Sequence, residues 1–181
     1  MSDSLPRPAT YVIDTSHTHA GFAVKHFGLA KVKGEFTDLA GNILIDEEPT
    51  NSSVNVTIQT ASFNSRDEGR DAHVKSADFL DVEQFPTMTF VSTAVAADGE
   101  DWVITGDLTI KGVTRSVTLE TEFEGAITDP YEFERIAFSA ETEIDRTDFG
   151  LDFSAALANG GLIVGKNVKI SLEVEAIIPK D

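Results

Sequence analysis

The chain has 181 residues, enough for one domain with a full core or an enclosed cavity. Its 31 acidic against 14 basic residues give a formal net charge of −17, which repels phosphate backbones and anionic headgroups. That argues against general nucleic-acid binding and against permanent membrane attachment. The absence of cysteine removes disulfides, thiolate zinc sites and cysteine nucleophiles.

Residues 1–9 read as a polar, proline-bearing tail, and residues 10–181 as a single domain. No apolar run follows a basic start, and no segment reaches the roughly 20 apolar residues of a membrane span. The expected location is cytoplasmic, unless a leader was removed before this numbering. Strand periodicity begins with Tyr11 and Ile13 on one face, then Phe22, Val24 and His26 on another. Phe36, Ile43 and Ile45 continue it, and Val54, Val56 and Ile58 alternate with polar neighbours.

The stretch from Ala61 to Phe85 is too long for a structureless connection. Asp67 to Lys75 has helical composition, and Ser76 or Asp78 can cap a second short turn through Gln84. Pro86 marks the return to strand, with Met88 and Phe90 in the next run. Trp102, Ile104, Leu108 and Ile110 share a face. Lys111-Gly112 then predicts a tight hairpin in which glycine takes a positive φ. Val113, Val117, Leu119 and Phe123 follow, then Ile136, Phe138 and Ile144, and last Val168, Ile170, Leu172, Val174 and Ala176. About eight strands, several unusually long and joined by short turns, predict an all-β antiparallel up-and-down barrel with a short helical insertion. Gly34, Gly41 and Gly106 are placed where a bulge could reverse the alternation.

Several ordered fragments carry a resemblance. They include Tyr11-Val12-Ile13-Asp14 with His17; Phe22-Ala23-Val24-Lys25-His26-Phe27-Gly28; Gly34-Glu35-Phe36; and Arg70-Asp71-Ala72-His73-Val74-Lys75-Ser76-Ala77-Asp78-Phe79. Further pieces are Phe85-Pro86 with Thr89-Phe90, Gly106-Asp107-Leu108-Thr109-Ile110-Lys111-Gly112-Val113-Thr114, and Arg146-Thr147-Asp148-Phe149-Gly150. Over residues 11 to about 177 the chain resembles the YceI-like, or polyisoprenoid-binding, family. Tyr11 stands where a tryptophan is common, and Val74 where a leucine is common. The resemblance implies a lipocalin-like barrel that encloses a long apolar chain, such as a polyisoprenoid, an isoprenoid quinone or a fatty amide. It also implies a homodimer. Many relatives are exported, so a periplasmic role does not transfer to a chain without a visible signal.

The candidate lining residues are Phe22, Val24, His26, Phe36, Phe90, Ile104, Leu108, Phe138 and Phe149. Packed core is the ordinary fate of aromatics at strand spacing, so the alternative is a filled barrel acting as an interaction module. His17, Arg70, Asp71, His73 and Arg146 either meet a headgroup or anchor the insertion. His26 is the inward choice over Lys25, because it shares its face with Phe22 and Val24. His17 and His19 fall on one face of a strand, but a metal site needs a third ligand, so neither metal nor cofactor is assigned. Asp148-Phe149-Gly150 mimics a kinase motif without the loops that would support it. The leading expectation is a non-enzymatic lipid binder for storage, transport or sequestration. An enzyme using His26 or His73 as acid–base group on an amphiphile is the alternative from another class.

Overall fold

The computed structural model describes residues 5–158 and 160–180. In chain order the strands are β1 (Ala9–Ile13), β2 (His19–His26), β3 (Ala30–Phe36), β4 (Leu39–Ile45), β5 (Ser53–Gln59) and β6 (Phe63–Asn64). Helix α1 (Glu68–Lys75) follows, then β7 (Thr87–Asp98), β8 (Asp101–Ile110), β9 (Val113–Thr128), β10 (Glu134–Asp145) and β11 (Val164–Ile177).

The eleven segments make eight staves. A 3-10 turn at Thr15–His17 separates β1 from β2, yet both lie on β11, with Ile13 opposite Ala176 and Ala20 opposite Leu172. In the same way β3 lies on β2 and β4 on β1, while β6 lies on β3 and β5 on β4. Three staves therefore bend halfway, and β7 to β11 run unbroken. The pairing of β5 with β7 and the return of β11 to β1 and β2 close an antiparallel barrel. Closure leaves no long edge to aggregate.

Alternation positions the interior. Along β8, Trp102, Ile104, Gly106, Leu108 and Ile110 are all buried, while the residues between them are not. The hairpin that follows has φ of 51° at Lys111 and 73° at Gly112, the left-handed pair that matches strand twist. Register shifts mark β7 between Ser92 and Ala94, β9 at Glu124 opposite Ala137 and Phe138, and β11 between Val164 and Val168. The first moves the inward set of β7 from Met88 and Phe90 to Val95. Of the three glycines expected near bulges, only Gly106 borders one. Gly34 and Gly41 sit in regular ladders, where close approach excludes a side chain. A Cβ on Gly41 would collide with the Asn55 carbonyl oxygen.

Residues 1–4 of the expected tail lie outside the described residues. Beyond them Pro6 is buried, Arg7 forks onto Glu134 at 2.7 and 2.9 Å, and pairing begins at Ala9, inside the expected tail. In the insertion, the Asp67 carboxylate caps α1 by accepting the Arg70 N–H at 2.8 Å. The next segment forms turns through Gln84, with the Phe79 and Asp81 amides both donating to the Ser76 carbonyl. These turns bury Phe79 and Leu80 over the barrel end.

Candidate functional site

The barrel encloses a cavity of about 730 Å³. Its wall is apolar nearly throughout, built from the inward residues of every stave and from Phe79 and Leu80 of the insertion. At one end Tyr11, Phe123, Ile136 and Ala176 are buried without lining the cavity, and they close it. At the other end Lys25, Gly69, His73 and Phe153 both line the cavity and are exposed, which marks a mouth between β2, α1 and the segment before β11.

Eight of the nine expected lining residues stand on the cavity wall; Phe149 does not. β10 stops at Asp145, whose carboxylate accepts the Thr147 amide at 2.9 Å and starts a 3-10 turn through Phe149. Strand alternation therefore ends before Phe149, whose ring packs into the core at 2% exposure instead. His26 is half-buried at the rim and tilts against the Phe27 ring, whereas Lys25 is exposed.

The polar candidates divide. Arg146 lines the cavity at 4% exposure, and its guanidinium donates to the carbonyls of Gly165 (2.9 Å), Phe153 (2.9 Å), Val164 (3.2 Å) and Leu151. It also lies 5.8 Å from the Phe79 ring centroid. Burial holds its pKa below the ordinary arginine value, but arginine stays charged. Among the described residues no carboxylate pairs with it, so this cation ties the 151–165 segment to the barrel through backbone dipoles.

Arg70 and Asp71 do not pair with each other. Arg70 donates to the Ser65 hydroxyl (2.7 Å) and carbonyl (2.8 Å), and Asp71 accepts the Ser65 amide (2.9 Å) and hydroxyl. Both clamp α1 onto Ser65, and Arg70 also reaches the cavity wall. His73 lies on the wall at the mouth, held by Asp78 at 2.8 Å and edge-on to Phe79 and Phe153. His17 is outside the cavity. It stands in a 3-10 turn, not a strand, and pairs with Asp14 at 2.8 Å, while His19 pairs with Glu35 at 2.8 Å. The expected shared face of the two imidazoles is absent.

Two features lay beyond the sequence reading. Trp102 lines the cavity at 3% exposure, meets Phe138 edge-on at 5.8 Å, and has an indole N–H without an acceptor among the described residues. Its inward face was legible; that it borders open space was not. At the closed end Arg135 bonds Asp14 (2.7 Å), Asp129 (2.7 Å) and Glu175 (3.2 Å). The guanidinium holds the Asp14 and Asp129 carboxyls below the usual carboxylate range. Asp14, His17 and Glu175 lie close enough to suit a metal ion, but Arg135 already supplies their positive charge.

The model of the YceI-like domain matches residues 11–176. The chain belongs to the YceI-like family. It is 43% identical over 146 residues to Protein YceI of Escherichia coli O17:K52:H18, covering 79% of this chain and 76% of that protein. Protein YceI of Salmonella arizonae is 38% identical over 175 residues, covering 95% of this chain and 88% of that one. Among solved structures, the Campylobacter jejuni YCEI protein superposes with a TM-score of 0.73 at 30% identity, covering 86% of this chain and 90% of its own. A polyisoprenoid binding domain from Saccharophagus degradans, implicated in plant cell wall breakdown, shares the fold of this YceI-like chain. Its TM-score is 0.66 at 14% identity, with 96% of this chain and 100% of that one covered.

Proposed function

We propose that this YceI-like protein is a non-enzymatic carrier of one long apolar chain, held in the barrel with its polar end at the mouth. The observation that carries this reading is the cavity itself. Left empty, a void of 730 Å³ would cost on the order of 17 kcal/mol at about 24 cal/mol per Å³. That exceeds the roughly 5–15 kcal/mol that stabilises a whole domain. Water can fill the space, but a wall with so few polar groups gives it few partners. An apolar chain fills the same space and gains about 0.8 kcal/mol per buried methylene.

A lipid with a polyisoprenoid tail suits an apolar lumen of this volume, and the fold shared with a polyisoprenoid binding domain supports that ligand class. Turnover has less support. Arg70, His73 and Arg146 are engaged in holding α1 and the 151–165 segment, and no nucleophile stands beside His26 or His73 in a triad-like arrangement among the described residues.

Trp102 is the sole tryptophan and lines the cavity, so its fluorescence reports occupancy directly. Titration with a bromine-labelled long-chain isoprenoid should quench it saturably, at one ligand per chain. A response no greater than that of free tryptophan would overturn the carrier reading.

A further inference from the structure

The mouth is not electrostatically uniform. Residues 15–34 contain no Asp or Glu, and neither do residues 153–172, in a chain with 31 acidic residues. The ladder β3–β2–β11 sets these two stretches side by side. Their outer surface carries Lys25, Lys31, Lys33 and Lys166, all exposed and, among the described residues, without a carboxylate ion pair. Lys25 and Lys31 are direct cross-strand partners, so two like charges face each other with no counter-ion from the protein.

The hairpin that ends this face is apolar. Leu29 is 86% exposed and Phe27 46%. Phe27 has a φ of 54°, a left-handed conformation that suits glycine or asparagine far better than a bulky ring. The tip is nevertheless fixed, by the Phe27 amide on the Ile163 carbonyl (2.9 Å) and the Leu29 amide on the His26 carbonyl (3.0 Å). Lys25 and His26 next to it line the cavity, as does the exposed Phe153 across the opening.

We propose that the β2–β3 tip, with the lysine face behind it, docks on anionic lipid membranes and sets the mouth of the lumen against the bilayer. This rests on the carrier reading and adds where loading takes place. Charge complementarity selects the partner, because Lys25, Lys31 and Lys33, none in an ion pair among the described residues, match an array of lipid phosphates, while Phe27 and Leu29 suit the interface just below them. Part of the net charge of −17 lies far from this face. A 14-residue strand such as β11, tilted in a barrel, spans roughly 35 Å. The acidic hairpins at residues 46–48 and 98–101 therefore stand well beyond the Debye length of about 8 Å at physiological salt. Exposed Glu68 and Asp78 on the α1 side, and Asp148 and Asp152 on the turn after β10, return negative charge to this end, so the β2–β3 side leads. A few lysines and one short tip give reversible contact, not insertion.

The test is flotation of the full chain with vesicles of phosphatidylcholine, with and without phosphatidylglycerol, at low and physiological salt. The protein should float with the anionic vesicles and less so as salt rises. Each lysine at such a surface is worth about fivefold in affinity, so Lys31→Glu and Lys33→Glu together should cost about twenty-five-fold or more. Leu29→Asp should cost about tenfold. Circular dichroism and Trp102 quenching report whether each variant stays folded and able to bind. Failure to float with anionic vesicles, or flotation indifferent to the two reversals, overturns the docking proposal. So does retention on an immobilised polyanion without flotation, which assigns the lysines to an acidic macromolecule. Flotation without luminal quenching instead leaves docking intact and removes the carrier reading.

Discussion

The two ends of the barrel use charge in opposite ways. At the closed end Arg135 gathers Asp14, Asp129 and Glu175, and Tyr11, Ile136 and Ala176 pack solidly beside them. At the open end Lys25, Lys31 and Lys33 stand without carboxylate ion pairs among the described residues, apolar side chains face solvent, and the buried Arg146 is held by backbone carbonyls. The closed end satisfies its charges internally and so serves stability. At the open end the lysines of β2 and β3 have no such partner among the described residues.

The sharpest way to break this contrast is at Arg146. Arg146→Met strands the carbonyls of Gly165, Phe153, Val164 and Leu151, and should cost about 3 kcal/mol or more in urea unfolding. Arg146→Lys should restore only a fraction, because an ammonium lacks the planar fork. Should Arg146→Met prove as stable as the parent while losing ligand, Arg146 belongs to the headgroup rather than to the scaffold.

Gly41→Ala forces a methyl group against the Asn55 carbonyl, and should cost about 1–3 kcal/mol, read as a lower Tm. Leu119→Trp sharpens the comparison differently. Leu119 is half-buried on the cavity wall, so an indole there should occupy the lumen, lowering lipid affinity on the order of tenfold with a smaller change in Tm than Gly41→Ala. A large loss of stability without loss of ligand would mean that the wall there is already filled.

The closed end should also respond to acid. Asp14 and Asp129 have folded-state pKa values below the ordinary 3.8 because Arg135 bonds their charged forms. Their contribution is full above about pH 4 and is lost as pH falls through the lower folded-state values. Urea midpoints measured from neutral pH downward should fall in that acid range, and Asp14→Asn should flatten the decline. The smallest effect is expected at the mouth. The pair of His73 and Asp78 is exposed on both sides, and His73→Ala should change stability by less than about 1 kcal/mol.

Much of the barrel was legible because period-two alternation survives along β8, β9 and β11, and because Lys111-Gly112 announces its own turn. The bends in three staves were not, since a 3-10 turn such as Thr15–His17 has no distinctive composition; that is why His17 and His19 part company. Phe149 failed for a related reason: a capped turn ended the strand that would have carried it inward. The lining of the lumen followed from side-chain direction, but its openness did not, since a filled and a hollow barrel share one pattern of inward residues. The Arg135 cluster joins positions 14, 129, 135 and 175, which only the closed topology brings together.

Native mass spectrometry of gently purified protein, followed by solvent extraction, tests the central claim most directly. The account predicts one bound long-chain amphiphile per chain, released on denaturation and carrying an extended apolar tail. A protein that arrives empty, and stays empty after incubation with isoprenoid lipids, would contradict it.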